Sequence, residues 1–338
     1  MHNSDMLKIG KTMIGLGKPV FIVAEAGINH NGDIRIAKEM IKRASKCGAN
    51  AVKFQTIFPE ELFSKEENPT LFNLIKKWSF NEKQHMELKK FAEKNRIEFF
   101  STPVGNRSAK LLINLGIKCI KIASGEITNH ELIKTVAKTK KPLIISTGMS
   151  TISEIKSAVK IVQKSKSPFA LLHCTASYPA PLEDVNLCNI QYLHQLFRVP
   201  VGYSDHTLGN EVSVIAVALG AKIIEKHFTL NKNMKGPDQK LSADPTQFTD
   251  LVKRIRIIEK LIGKRRSGPT NSEKKFRKLM RKSLAAQDDI PSGTKISKSM
   301  ITSIRPGTGI PPSEIDKVIG KTLRKKVKKG KLLDWNML

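Results

Sequence analysis

The chain has 338 residues, of which 40% are hydrophobic and 26% are charged, and its formal net charge is +29. These values are typical of a folded globular protein and predict one large domain with a smaller one. No apolar run approaches the roughly 20 residues that cross a bilayer, so we expect no membrane association. The four cysteines lack zinc-finger spacing and the N-terminus lacks the apolar core of a secretory signal. We therefore expect a cytoplasmic protein with reduced thiols.

The basic residues are spread over the whole chain, and the densest clusters are at 264–266, 274–282 and 324–331. A charge of this size raises the hypothesis of a nucleic-acid partner. However, aromatic residues make up only 6% of the chain, and no stacking aromatics accompany the basic clusters. We therefore expect no nucleic acid and interpret the charge as a field that favours solubility and attracts anionic substrates.

Eight short β-rich runs alternate with helical patterns or long connections. They begin near Val20, Ala51, Glu98, Cys119, Pro142, Phe169, Val199 and Lys222. Eight βα units in about 250 residues predict a closed (β/α)8 barrel, the TIM barrel. An open doubly wound sheet is the alternative, but no dinucleotide-binding glycine motif follows the first strand.

The character of the chain changes after the helical pattern near 246–261. Residues 263–282 are basic and begin with turn-forming residues, and residues 283–338 contain short strands and Gly/Pro-rich turns. The sequence therefore predicts a catalytic barrel over 1–262, a basic linker over 263–282 and a small, mostly β domain over 283–338. A module of about 55 residues is too small to enclose a deep active site. We expect it to cover the mouth of this barrel or of a neighbour's.

Polar residues gather where the predicted strands end. They are Glu25, Lys53, Thr102, Lys121, Ser124, Ser146, Thr175, Ser204, His206, Glu225 and His227. Active sites of parallel α/β proteins lie at the carboxyl ends of the strands. So many polar groups inside a barrel need a ligand or a metal to satisfy them. The set therefore predicts an active site.

The residue types indicate the chemistry. Lysines combined with hydroxyls suit a phosphate or a carboxylate. His206 and His227 bracket the strand–helix–strand unit at 202–230, and two neutral imidazoles suit a divalent metal that polarises a carbonyl, although two buried structural histidines are the alternative. Glu25 is a candidate general base or hydroxyl clamp. Together they predict carbon–carbon bond chemistry between a phosphorylated acid and a carbonyl compound. The rival is a Schiff-base pyruvate aldolase with Lys121 or Lys53 as nucleophile.

Ten short motifs resemble the sialic acid synthase family, in order over nearly the whole chain. They are AEAGINHNG (24–32), KFQ (53–55), FFSTP (99–103), KIASGE (121–126), STGM (146–149), HCTASYPAP (173–181), GYSDHT (202–207), EKHFTL (225–230), GPDQKLSADP (236–245) and IRPGTGIPP (304–312). The resemblance implies a TIM barrel followed by an antifreeze-like (SAF) domain, and a domain-swapped homodimer. It implies a transferase that condenses phosphoenolpyruvate, an N-acylated mannosamine-type sugar and water into a nine-carbon sialic acid and phosphate, with C–O cleavage.

The resemblance also implies roles for individual positions. The residues that would hold phosphoenolpyruvate are Lys53, Thr102, Lys121, Ser124, Ser146 and Ser204. His206 and His227 would bind a divalent ion, manganese by preference, with magnesium or cobalt as alternatives, and Glu225 would support that site. The residues that would meet the sugar are Glu25, Gln55, Tyr178 and Asp238. Arg305, from the small domain of the other subunit, would reach the N-acyl group.

Two positions depart from the family's pattern. Ala176 stands where capsule-type neuraminate synthases often carry an asparagine that helps bind the acid, so Thr175, Ser177 or water would have to compensate. Gln239 stands where many members have histidine. We expect both positions near the substrates, which leaves the acceptor sugar open. N-acetylmannosamine, giving N-acetylneuraminate, is the first choice, and 2,4-diacetamido-2,4,6-trideoxymannose, giving N,N'-diacetyllegionaminate, is the alternative.

Overall fold

The computed structural model describes residues 5–338. The chain divides into two compact units, Met1–Gly263 and Lys264–Leu338. Within the described residues, none of the helices combines the length and the apolar character that a membrane crossing requires.

A short antiparallel hairpin opens the first unit. It consists of β1 (Met6–Ile9) and β2 (Thr12–Gly15). Its side chains Leu7, Ile9 and Ile14 are buried in one apolar cluster with Phe21 and Ile223, which lie at the beginnings of two barrel strands. The hairpin therefore closes the amino-terminal end of the barrel. The sequence patterns did not predict it.

Eight parallel strands form the barrel. They are β3 (Phe21–Gly27), β4 (Ala51–Thr56), β5 (Glu98–Pro103), β6 (Ile120–Ile122), β7 (Leu143–Ser146), β8 (Phe169–Cys174), β9 (Val201–Asp205) and β10 (Ile223–His227). Their order is β5-β4-β3-β10-β9-β8-β7-β6, and the terminal pair, β5 and β6, lie against each other and close the ring. This confirms the predicted TIM barrel, and every strand begins within two residues of its predicted start.

Helices cover the outside of the barrel. They are α1 (Ile34–Lys46), α2 (Pro59–Leu62), α3 (Pro69–Trp78), α4 (Glu82–Lys94), α5 (Asn106–Asn114), α6 (His130–Ala137), α7 (Ile152–Lys164), α8 (Asn189–Phe197), α9 (Glu211–Ala218) and α10 (Pro245–Ile262). Their apolar faces pack on the outward-facing strand residues in one continuous core. Helices α2 and α3 occupy the interval that the sequence marked only as a long connection. Capping boxes start several helices, such as Thr151 with Glu154 at α7.

Gly202 shows how tightly the barrel interior is packed. A Cβ atom at this position would lie 2.4 Å from the Ile223 carbonyl oxygen and 2.6 Å from the Leu172 side chain. No larger residue fits without moving backbone, so glycine at the second residue of β9 allows β8 and β10 to close around it.

The second unit contains α11 (Asn271–Met280), β11 (Ser283–Ala286), β12 (Ile301–Ile304) and α12 (Ile315–Val318), and β11 pairs antiparallel with β12. It has its own small core around Leu284, Ile296 and Val318. The interval 263–282, predicted as a linker, contains α11, which Thr270 and Glu273 start with a capping box. The sequence did not predict this helix, because the many lysines and arginines of the interval obscure the helical spacing of its apolar residues.

Candidate active site

The carboxyl ends of the barrel strands surround a cavity of about 340 Å³. Thirteen of the fifteen predicted site residues line it: Glu25, Lys53, Gln55, Thr102, Lys121, Ser124, Ser146, Tyr178, Ser204, His206, Glu225, His227 and Asp238. The two that do not are Thr175 and Arg305. The polar strand ends therefore meet in one place, as the topology of a parallel barrel requires.

Two buried lysines form one side of the cavity, and each is paired with a hydroxyl. Lys53 Nζ donates to Thr102 Oγ1 at 3.0 Å. Lys121 Nζ donates to Ser146 Oγ at 2.7 Å. The strand register explains the second contact, because Lys121 is paired with Ile144 and Ser146 lies two residues further along the same face of β7. Each cation therefore keeps donor capacity for an anion in the cavity.

Glu25 and Glu225 neutralise these lysines in part. Lys53 Nζ lies 2.8 Å from Glu25 Oε2, and the two residues are direct partners on β3 and β4. Glu225 Oε1 lies 3.6 Å from Lys53 Nζ and 3.5 Å from Lys121 Nζ, and it accepts from Ser204 Oγ at 3.0 Å. Glu225 thus serves as a shared counter-ion for both lysines.

The environment separates the pKa values of these groups. Burial raises the pKa of Glu25 to about 7 despite the attraction of Lys53. Burial also disfavours the Glu225 carboxylate, but Lys121 and Lys53 outweigh it and lower the pKa of Glu225 to about 2. Burial lowers the pKa of Lys121. At neutral pH the cavity therefore holds one permanent carboxylate and one carboxyl group poised to exchange a proton.

His206 and His227 lie beside each other in the same cavity, with ring centroids 5.4 Å apart. His206 Nδ1 lies 2.8 Å from the Thr175 carbonyl oxygen, which can only accept, so Nδ1 carries the proton and Nε2 keeps its lone pair. His227 Nδ1 is buried without a hydrogen-bond partner and lies 3.8 Å from Asp238 Oδ2. Burial lowers the pKa of both imidazoles, which keeps them neutral at pH 7.

This donor set fits a divalent ion held by two protein ligands. Two neutral imidazoles with free lone pairs face the cavity, and the His227 ring leaves one buried nitrogen unsatisfied, which calls for a partner. In the part of the chain that the structure describes, no group of three or more His, Cys, Asp or Glu is arranged to hold a metal. The remaining coordination positions would therefore belong to water or substrate, as in an open catalytic site.

Two positions, Thr175 and Gln239, differ from their predicted placement, whereas Arg305 lies in the small domain from which it was predicted to act. The Thr175 hydroxyl donates to the Asp184 carbonyl at 3.0 Å and lines a neighbouring cavity, so its backbone, not its side chain, serves the site by orienting His206. Gln239 is fully buried behind Asp238: it donates to the Asn29 carbonyl and accepts from the Thr229 hydroxyl. Arg305 lies in the second unit, exposed, and donates to the Met280 carbonyl.

The structure also brings residues to the cavity that the sequence did not single out. Cys174, the last residue of β8, lies 3.7 Å from His206 Nδ1 through its sulfur, and Met149 also lines the cavity. Ala176, which was expected near the substrates, lines it as well. Cys174 could have been found in the same way as the predicted site residues, because it also stands at the carboxyl end of a strand. Met149 has a φ of 58°, a left-handed conformation uncommon for a residue with a side chain, and this conformation cannot be predicted from composition.

Comparison with known proteins agrees with this architecture. Residues 40–267 match the NeuB family and residues 281–338 match the SAF domain. An N,N'-diacetyllegionaminic acid synthase from Legionella pneumophila is 42% identical, over 95% of each chain. The N-acetylneuraminate-9-phosphate synthase of Homo sapiens is 34% identical, over 91% of this chain and 89% of the relative.

A crystal structure of N-acetylneuraminic acid (sialic acid) synthetase from Leptospira borgpetersenii superimposes with a TM-score of 0.78 at 41% identity. It covers 81% of this chain and 96% of that one. The family expected from the ten motifs is therefore confirmed over both units. The chain belongs to the NeuB family, the family of the sialic and legionaminic acid synthases that it resembles in sequence.

Proposed function

We propose that this protein condenses phosphoenolpyruvate with an N-acylated amino sugar and water, giving a nine-carbon sugar acid and phosphate. One observation carries the proposal: two buried lysines, four hydroxyls and two neutral imidazoles line a single cavity of about 340 Å³. The lysines and hydroxyls suit a small phosphorylated acid, and the imidazoles suit activation of a carbonyl.

Phosphoenolpyruvate would occupy the lysine side. Lys53 and Lys121 supply the positive charge for its phosphate and carboxylate. The hydroxyls that would complete its hydrogen bonds are those of Thr102, Ser124, Ser146 and Ser204. Ser124 Oγ already accepts from the Gly148 N–H at 3.0 Å, so its own proton is free to donate to the ligand. Burial of the two lysines and of Thr102, Ser146 and Ser204 strengthens their contacts.

The amino sugar would occupy the imidazole side. Glu25, Gln55, Tyr178 and Asp238 line the same cavity and would offer hydrogen bonds to its hydroxyls. His206 and His227 would hold a divalent ion, manganese by preference, which supplies Lewis-acid polarisation of the sugar aldehyde. The Tyr178 ring packs against His206 in a tilted arrangement with centroids 4.1 Å apart, which helps to hold the imidazole in place.

The reaction forms one carbon–carbon bond and breaks one C–O bond. Carbon 3 of phosphoenolpyruvate attacks the aldehyde carbon, and the aldehyde oxygen takes a proton. Positive charge develops at carbon 2, where the ionised Glu225 between the two lysines is suited to stabilise it. Water adds at carbon 2 and phosphate departs with its bridging oxygen, leaving a 2-keto acid. Of the two protons of this water, one balances the proton taken up by the aldehyde oxygen and the other leaves with the phosphate. Lys53 and Lys121 compensate the charge of the departing phosphate.

For the acceptor we propose 2,4-diacetamido-2,4,6-trideoxymannose, the precursor of N,N'-diacetyllegionaminate. The Legionella relative that is named for this product is 42% identical, whereas the human N-acetylneuraminate-9-phosphate synthase is 34% identical. N-acetylmannosamine, the first choice from the motifs, is the second candidate. It is supported by the Leptospira sialic acid synthetase, which is 41% identical.

We also propose a domain-swapped homodimer in which Arg305 reaches the N-acyl group of the sugar in the other subunit's barrel. Arg305 is exposed in a Pro/Gly-rich loop of the SAF domain, and Phe276 and Leu279 of α11 are 62% and 60% exposed. Large apolar side chains so exposed on one helix are typical of a contact surface. Sedimentation of the full chain tests this, and a monomer at micromolar concentration contradicts it.

The decisive experiment supplies phosphoenolpyruvate with each candidate sugar and follows phosphate release and product mass. We expect Lys121→Met and His206→Ala to abolish turnover while both proteins remain folded. Lys141→Met is the matched control, since Lys141 binds the Ile117 carbonyl at the opposite end of the barrel. Retained turnover in Lys121→Met contradicts the proposal. Borohydride trapping of pyruvate on the wild-type protein would establish an aldolase instead.

A further inference from the structure

We propose that Asp205 and Lys226 are positioning residues that fix the separation of His206 and His227. This inference rests on the proposed function, in which the two imidazoles hold the divalent ion. Asp205 directly precedes His206 at the end of β9, and Lys226 directly precedes His227 at the end of β10. Neither side chain lines the active-site cavity.

The two strands present alternating pairs of side chains. Ser204 and Glu225 are register partners that face the cavity and are joined by a 3.0 Å hydrogen bond. One residue further on, Asp205 and Lys226 are also register partners, and their side chains face the surrounding helices. Ser213 of α9 donates to Asp205 Oδ2 at 2.5 Å. Side-chain contacts therefore link β9 to β10 on the cavity face and on the outer face, immediately before the two histidines.

The link on the outer face is a fully buried ion pair between Lys226 and Asp205. Lys226 Nζ lies 2.8 Å from Asp205 Oδ2, and the two side chains are 2% and 0% exposed. Lys226 Nζ also donates to the Thr207 carbonyl at 2.8 Å. Asp205 Oδ1 accepts from the Thr207 N–H at 2.8 Å and from its hydroxyl at 2.7 Å. The pair therefore binds both the N–H and the carbonyl of Thr207, the residue that follows His206, and its Asp205 is the residue that precedes His206.

Stability alone does not account for this arrangement. A buried ion pair contributes little net stability, because desolvation of the charges offsets their attraction. What it adds is geometric: a small slide of β9 against β10 breaks several short, charge-assisted hydrogen bonds at once. An ion with two protein ligands is sensitive to their separation, since no further side chain compensates for a displacement. Partners behind metal ligands act in this way in other proteins.

The test compares Asp205→Asn, Lys226→Met and the double variant with the wild-type protein. Three quantities are measured: Mn²⁺ affinity by electron paramagnetic resonance titration, the melting temperature, and KM for phosphoenolpyruvate. We expect Mn²⁺ affinity to fall about 10- to 100-fold in all three variants. KM for phosphoenolpyruvate should change by no more than about twofold, because its lysines lie on other strands.

The double variant separates positioning from stability. Each single variant leaves one buried charge unpaired and lowers the melting temperature, whereas the double variant leaves none and should recover much of it. Mn²⁺ affinity should not recover together with the melting temperature, because the ion pair that links the two strands is still absent. If the single variants do not fold, the double variant alone carries the comparison.

Arg256→Met is the matched control. Arg256 pairs with Glu259 at 2.7 Å beside the Val20 carbonyl, at the far end of the barrel, so its loss should lower the melting temperature and leave Mn²⁺ affinity unchanged. Wild-type Mn²⁺ affinity in the double variant overturns the positioning role and leaves the proposed condensation intact. A wild-type protein that binds no Mn²⁺ and forms no product overturns both.

Discussion

The Glu225 carboxylate lies 3.5 Å from the Lys121 ammonium and is the shared counter-ion of the two cavity lysines. A carboxylate at this position opposes the binding of an anionic substrate, yet it favours positive charge that develops during the reaction. Glu225→Gln should therefore bind phosphoenolpyruvate about tenfold more tightly. Its turnover should be slower by a factor on the order of 100 or more, which is the typical effect of removing one group that stabilises charge in the transition state.

Isothermal titration and steady-state kinetics measure the two effects separately. Glu98→Gln is the control, because Glu98 pairs with Lys118 at 3.1 Å at the beginning of β5, away from the cavity. Weaker phosphoenolpyruvate binding with unchanged kcat in Glu225→Gln contradicts the assigned role.

Glu25 predicts a pH dependence. Burial raises its pKa to about 7, and the ionised form is the one that pairs with Lys53 and accepts hydrogen bonds from a sugar hydroxyl. The group is protonated below pH 7 and ionised above it. We therefore expect kcat/KM for the sugar to rise with pH and to be about tenfold lower at pH 6 than on the alkaline plateau.

The phosphate of phosphoenolpyruvate also titrates near pH 6, so the profile is measured at saturating phosphoenolpyruvate and repeated in Glu25→Gln. The variant should lose the rising limb centred near pH 7. An unchanged limb in Glu25→Gln assigns the titration to the substrate and contradicts the prediction.

Gln239 predicts a specific loss of sugar binding. Its amide joins the Asn29 carbonyl to the Thr229 hydroxyl and so holds the loop that carries Asp238. Gln239→Leu leaves the Asn29 carbonyl without its side-chain donor and removes one acceptor of the buried Thr229 hydroxyl, which should lower the free energy of unfolding by about 1–3 kcal/mol. We expect KM for the sugar to rise about tenfold while KM for phosphoenolpyruvate is unchanged.

Chemical denaturation and two-substrate kinetics check these outcomes. Gln163→Leu, on the exposed face of α7, should match the wild-type protein in both measurements. An equal rise of both KM values would mean that the whole cavity is distorted rather than the Asp238 loop.

The amino-terminal hairpin predicts a large contribution to stability without a catalytic role. Ile14 is fully buried in the cluster at the end of the barrel opposite the active site. Ile14→Ala should lower the free energy of unfolding by about 2–5 kcal/mol. Leu16→Ala, at a side chain 67% exposed, should change it little. Denaturant titration measures the free energy of unfolding of both variants. Equal effects of the two changes would contradict the role of the hairpin in closing the end of the barrel.

The sequence predicted the barrel well because the strands are short, largely apolar runs with polar residues in or just after them. Lys53, Lys121 and Glu225 stood out for the same reason, since a charge inside an apolar run has few structural uses. The placement of Thr175 and Gln239 was not predictable in this way. Whether a side chain or a carbonyl faces a cavity depends on how the loop turns beyond the strand. The hairpin was not predicted, because two strands of four residues are too short for their alternation of apolar and polar residues to indicate a β-structure.

The hairpin precedes the whole barrel in the chain, but the apolar cluster that it joins includes Leu172 and Ile223. Leu7, Ile9 and Ile14 are therefore synthesised about two hundred residues before the last member of their cluster, and the cluster stays incomplete during that interval. Until Ile223 is made, the three side chains lack part of their apolar cover. A chain stalled before Ile223 should consequently bind a chaperone that recognises exposed apolar segments, and release should follow synthesis of β10.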